Sequence, residues 1–179
     1  MDQIHVIIEE LREKNYQSFD IFYNLTKNQV FYAIINIVRD KDLAQDLMQD
    51  TYIKFLEKID QYKTGSNPYA YLSMIARNTA INTYNRQKRL VHSDELIESI
   101  PSPESASDDQ DIFKILDLLD EIEKEVVTLH IINDLKFREI AKILKKPLGT
   151  VLWIYNKAIK KLRDKVGDVL WRKKISFNW

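Results

Sequence analysis

The chain has 179 residues, enough to bury a core and to form one or two domains. Its 27 basic and 27 acidic residues cancel, so the total charge points to no partner, and the absence of cysteine excludes disulfides and thiolate metal sites. No apolar run reaches the roughly 20 residues that span a bilayer, and the first residues, MDQIHVIIEELREK, carry acids and no cleavable apolar segment, which fits a cytoplasmic protein with no membrane insertion.

Charge is unevenly distributed. Residues 1–88 are neutral, residues 89–111 hold one base and seven acids, and residues 112–179 hold 15 bases and nine acids. Segments of such different charge suit different tasks. Three glycines and four prolines are too few for the turns of a multi-strand fold, so the expected class is all-α.

Ile4, Ile7, Ile8 and Leu11 share one side of a first helix over residues 3–14. A second helix, from about Tyr16 to Val38, offers Phe19, Phe22, Tyr23, Val30, Phe31, Ile34, Ile35 and Val38 for burial. After a polar break, Asp40 or Asp42 can cap a third helix, DLAQDLMQDTYIKFLEKIDQY, with Leu43, Leu47, Thr51, Phe55 and Ile59 inward. Asp42, Asp46, Gln49 and Asp50 crowd its other side at spacings of three and four, where like charges repel. That side is either a solvated face or a protein-docking surface.

YKTGSNP, from Tyr62 to Pro68, is the first clear loop, and Pro68 suits the first turn of a fourth helix running to Arg89. That helix puts Tyr71 or Leu72, Ile75, Ala76, Thr79 and Ile81 on an apolar line. Its other sides carry Tyr69, Arg77, Asn78, Asn82, Tyr84, Asn85, Arg86, Lys88 and Arg89. Rings, cations and amides in this mixture fit single-stranded nucleic acid, and they also fit a helix packed in a bundle.

The Ser-, Pro- and acid-rich residues 91–110 read as a flexible acidic linker between domains at 1–90 and 111–179. Helix resumes from Asp111 to Ile132, in two pieces broken near Asp120–Glu121. FREIAKILKKPLGTVLWIYNKAIKK then has the form of a helix-turn-helix. Lys145, Lys146 and Pro147 end its first helix, Thr150 can cap its second, and Val151, Ile154, Tyr155, Ala158, Ile159 and Leu162 form a buried stripe. Between Lys136 and Lys174 stand thirteen bases and three acids, a surplus suited to phosphates. The tail WRKKISFNW pairs cations with aromatics and can touch nucleic acid, a partner or a membrane surface. With His5, His92 and His130 scattered and no Gly-rich phosphate loop, no catalytic centre, metal, cofactor or small-molecule substrate is indicated.

Three stretches carry a resemblance. Ala44, Asp46, Leu47, Gln49, Asp50 and Tyr52 match (A/E)(Q/E)D-L-x-Q-(D/E)-x-(F/Y); YAYLSMIARN is similar to W-L-x-x-I-A-R-N; and EIAKILKKPLGTV matches E-I-A-x-I-L-x-x-P-x-G-T-V. In this order, around an acidic linker, they resemble the bacterial RNA polymerase sigma factors of the extracytoplasmic-function (ECF) group. The resemblance implies a region 2 bundle and a region 4 helix-turn-helix, with core RNA polymerase and promoter DNA as partners and no reaction of its own. It implies that Asp42, Asp46, Gln49 and Asp50 dock on the clamp helices of the largest polymerase subunit. Lys63, Ser66, Asn67, Arg77 and Asn78 would capture an unstacked base of the −10 element, with Arg86, Lys88 and Arg89 on phosphates. Lys145, Lys146, Thr150, Trp153, Asn156, Lys157 and Lys160 would contact the −35 duplex.

Two departures stand out: Tyr71 replaces the usual tryptophan, and Leu152, Trp153 and Ile154 occupy recognition-helix positions that are polar in many relatives. This favours −35 recognition by shape and backbone contact, or an apolar patch covered by an anti-sigma factor. The rival reading is a helix-turn-helix regulator that binds operator DNA without polymerase.

Overall fold

A computed structural model describes residues 3–91 and 114–166, which belong to two compact units. No strand occurs among the described residues. The expected linker falls almost wholly outside them, as do the C-terminal tail and any extension of the last helix toward Leu170.

The first unit comprises α1 (Gln3–Arg12), α2 (Phe19–Val38), α3 (Lys41–Glu57), a 3-10 turn at Ile59–Gln61, and α4 (Pro68–Val91). Asp40, rather than Asp42, caps α3: its carboxylate accepts from the Leu43 N–H at 2.9 Å. Arg39 takes the left-handed conformation, φ 56°, that closes α2, its N–H reaching Ile35 O. Ile4, Ile7, Ile8 and Leu11 are buried as a set, as their spacing predicts.

The centre of this unit is aromatic. Phe22 stacks on Phe55 with centroids 4.9 Å apart, and Tyr52 meets Phe22 and Phe19 edge-on. The Tyr52 hydroxyl lies 2.8 Å from Thr26 Oγ1, which itself donates to Phe22 O. Burial therefore pushes the Tyr52 phenol well above its usual range, although the Thr26 contact works the other way.

Several expected inward positions shift. Tyr23 is exposed, and Phe19, Phe31, Leu43, Tyr71 and Ile81 are only half-buried. The core instead takes Thr26, Tyr32, Ala44, Met48, Ser73 and Ala80. Four of these, Thr26, Ala44, Ser73 and Ala80, are small, so inward position does not follow hydrophobicity alone.

The second unit opens with a helical turn at 114–116, breaks at 117–120, and resumes as α5 (Glu121–Val127), placing the interruption where the sequence put it. One π-helical turn, Thr128–Ile132, follows, then α6 (Phe137–Leu144) and α7 (Leu148–Val166). Lys145, φ 52°, ends α6 in the left-handed region, and the Lys146 N–H bonds Ala141 O. The second helix starts earlier than expected. Val151 N already donates to Pro147 O, so Gly149 and Thr150 lie within the first turn and Thr150 is not its cap. Proline's fixed φ suits that boundary. Val151, Ile154, Ala158 and Leu162 are buried; Tyr155 and Ile159 are half-buried.

Candidate nucleic-acid and polymerase interface

On α3 the apolar side is buried and the acidic side is open. Asp42, Asp46, Gln49 and Asp50 are all exposed, and neither Asp46 nor Asp50 enters a described hydrogen bond or ion pair. Ile53 continues this face, three residues past Asp50 and four past Gln49, and is 55% exposed. Sequence reading passed over it, although its helical spacing from Gln49 marks it as part of the same surface.

The loop before α4 is a shaped element. Ser66 N donates to Lys63 O at 2.9 Å, closing a turn in which Gly65 has φ +85°, a conformation that favours glycine. Lys63 and Ser66 are exposed. Asn67 is half-buried and caps α4: its Oδ1 accepts from Tyr69 N at 3.0 Å and Ala70 N at 3.4 Å. The side-chain oxygen expected to read a base thus already holds the start of a helix.

Along α4, Asn78, Asn82, Asn85 and Arg89 follow one another at steps of four, three and four, Arg86 lies four past Asn82, and all five are exposed. Arg77 and Tyr84, half-buried, and exposed Lys88 lie on the neighbouring stripe. The open stripe offers amide donors and acceptors in the middle of α4 and cations toward its end. That order suits base edges first and phosphates next.

In the second unit Lys145, Lys146, Thr150, Trp153, Asn156, Lys157 and Lys160 are all exposed. Trp153 is 63% exposed, and Leu148 and Leu152 add to an apolar tip at the start of α7. Lys157 has a second commitment. Its Nζ sits 2.8 Å from Glu123 Oε1 and 5.5 Å from the centroid of the Trp153 ring. Lys161, which sequence reading did not single out, bonds Glu123 Oε2 and Asp120 Oδ1, both at 3.1 Å.

Glu123 is 1% exposed and also accepts from the Asp120 N–H. Burial alone would raise its pKa. Hydrogen bonds from Lys157, the Asp120 amide and Lys161 outweigh it and lower the value from 4.5 to about 2. A depressed carboxylate contributes stability that is complete above pH 4.5 and is lost as pH falls toward 2. Glu123→Gln should cost this unit about 2 kcal/mol near neutrality, below the figure for fully buried pairs because the lysine ends can rehydrate. It should also flatten the acid limb of the stability curve, measured by urea melts at stepped pH.

The pattern described as Sigma-70 region 2 matches residues 22–90, and that described as Sigma-70, region 4 matches residues 115–164. The chain belongs to the sigma-70 family of RNA polymerase sigma factors. The RNA polymerase sigma-H factor of Pseudomonas aeruginosa is 24% identical over 167 residues, covering 84% of this chain and 86% of the relative. The ECF RNA polymerase sigma-E factor of Haemophilus influenzae is 24% identical over 162 residues, covering 81% and 85%. Among solved structures, the sigma factor RpoE of Bartonella quintana, in complex with the anti-sigma factor NepR, has a TM-score of 0.69 and 27% identity, covering 83% of this chain and 96% of that one.

Both regions in one chain set aside the regulator that works without polymerase. The protein is an alternative sigma factor, a partner of core RNA polymerase and of promoter DNA. Among the described residues no helix is long and apolar enough to cross a membrane.

Proposed function

We propose that this sigma factor distributes its task over three surfaces: the acidic face of α3 docks on the polymerase clamp helices, the loop and α4 capture the −10 non-template strand, and α6–α7 hold the −35 duplex. The domains at 1–90 and 111–179, joined by the acidic stretch at 91–110, would let the last two surfaces act on separate promoter elements. The observation that carries the reading is the exposed stripe from Asn78 to Arg89 on the helix that the exposed loop leads into, on the same unit as the open acidic face. A base swung out of the duplex loses its stacking, and a pocket of amides and rings offsets that loss.

Lys63, Ser66, Arg77 and Asn78 are the groups assigned to the captured base, with Asn67 shaping the loop as well as facing it, and Arg86, Lys88 and Arg89 on phosphates. Lys145, Lys146 and Lys160 hold −35 phosphates, Thr150 and Asn156 lie toward the groove, and Trp153 contributes an apolar contact. Lys157 divides its charge between DNA and Glu123. Base-edge donors are scarce on this helix, so duplex shape and backbone contact supply most of the −35 preference. The protein carries no reaction of its own, since bond formation belongs to the polymerase, and it works in the cytoplasm, where polymerase and promoter are.

An anti-sigma factor is a further partner in this reading. The Bartonella relative is seen with one, and the apolar tip of Leu148, Leu152 and Trp153 is a surface such a partner can cover.

Run-off transcription with core enzyme, followed by mapping of transcript starts, tests the whole reading; no start at any genomic promoter would end it. Asn78→Ala isolates the capture step. It should leave core affinity unchanged and lower open-complex formation about tenfold, the effect of one lost hydrogen bond to an unstacked base. Permanganate reactivity of promoter thymines reads that change directly.

A further inference from the structure

The region 2 match begins at residue 22, so α1 lies outside it, yet α1 is tied to the proposed capture loop and the turn before it at three positions on successive helical turns. Ile4, Ile7, Ile8 and Leu11 bury one side of this helix. His5, Glu9 and Arg12, spaced four and three apart, line another side and all meet the segment from Ile59 to Ser66.

Arg12 supplies most of the contacts. Its Nη2 donates to Tyr62 O at 2.8 Å and to Ile59 O at 3.3 Å, its Nη1 reaches Thr64 Oγ1 at 3.5 Å, and its Nε is 3.8 Å from Asp60 Oδ1. Glu9 holds Arg12 Nη1 at 2.5 Å through Oε2 and accepts from the Thr64 hydroxyl at 2.9 Å through Oε1. His5 Nε2 lies 3.1 Å from Ser66 O, an oxygen that also accepts from the Tyr62 hydroxyl. Every residue from Tyr62 to Asn67 except Lys63 and Gly65 is therefore tied by a side chain, and those two are the open positions of the turn.

We infer that His5, Glu9 and Arg12 are positioning residues for −10 recognition: they hold the capture loop in its base-receiving shape before DNA arrives. The inference rests on the proposed capture by this loop. Its physical content is preorganisation. A loop already ordered loses less conformational entropy on binding than one whose backbone must be fixed again. The guanidinium suits this work because its planar fork reaches two carbonyls, a hydroxyl and a carboxylate at once, which an ammonium cannot do.

The test uses full-length protein with core polymerase and a pool of promoter fragments taken from wild-type transcript starts and randomised across the −10 region. Open complexes are selected and sequenced, and core affinity, −35 preference and thermal midpoint are measured beside them. Arg12→Ala should reduce the ratio of favoured to disfavoured −10 bases about tenfold, because a favoured base, captured only by the ordered loop, then carries the cost of ordering one or two loop residues, whereas a disfavoured base leaves the loop unengaged. Arg12→Lys should reduce it too, with a wild-type thermal midpoint. Thr64→Val, at an exposed position, should move the ratio in the same direction by a smaller factor. Core affinity and −35 preference should stay at wild-type values in all three. Wild-type −10 preference in Arg12→Lys and Thr64→Val overturns the inference, as does a loss shared equally by −10 preference, −35 preference and core affinity. The capture reading itself fails separately, by unchanged −10 preference in Lys63→Ala and Asn78→Ala.

Discussion

Asp46→Lys with Asp50→Lys should lower affinity for core polymerase at least about 100-fold while the protein stays folded. Placing cations on the acidic face proposed to dock the polymerase reverses its charge at a cost of several kcal/mol, and each 1.4 kcal/mol is tenfold. The fold should tolerate the change because both side chains are exposed and outside the described hydrogen bonds and ion pairs. The single variant sharpens the argument. Asp42, Asp46 and Asp50 follow one another at i, i+4, so each adjacent pair repels by a few tenths of a kcal/mol. Asp46→Lys turns both repulsions into attractions, so α3 should become slightly more stable as binding is lost. Stability and function moving in opposite directions separates a docking residue from a solvated one. Titration of labelled core enzyme, alongside thermal melts of the free protein, reads both. Retained affinity in the double variant would remove the docking role of this face.

Phe22→Ala should destabilise the first unit by about 3–5 kcal/mol, lowering its melting midpoint by roughly 15 °C or more. Phe22 is fully buried, stacks on Phe55 of α3 and meets Tyr52 edge-on. Its removal opens a cavity between α2 and α3 and takes away ring contacts that exceed simple area burial. Tyr23→Ala is the internal control. Tyr23 also approaches Tyr52, with centroids 5.1 Å apart, but is 37% exposed, so its loss should cost about 1 kcal/mol or less. The second unit has its own core, built on Leu116, Leu129, Leu135, Ile140 and Leu162, and its transition should be unmoved by either change. Calorimetry of the full chain separates the two transitions; a large shift from Tyr23→Ala, equal to that of Phe22→Ala, would contradict this account of the core.

The helices were legible because each carries its own period. Four isoleucine and leucine positions defined α1, a proline and the lysines before it bounded α6, and the acidic face of α3 stood out because like charges gathered at i, i+4. Two kinds of detail were less legible. The aromatic residues of α2 read as inward, yet Tyr23 faces out while Ala44, Ser73 and Ala80 face in, because the side a residue presents is set by how the helices pack and not by its hydrophobicity alone. The Thr150 hydroxyl reads as a cap, yet the chain is helical from Leu148, since proline sets the boundary.

The sequence by itself determined the all-α class, the family and which faces are apolar, acidic or basic, because these depend on residues a few positions apart. Only the tertiary structure decided which side chains are spent on holding the fold. Lys161 reaches Glu123 across 38 positions, and Arg12 reaches Tyr62 across 50. Such pairings leave no local period to read. They follow from where helices come to rest, which is set by the packing of the whole unit.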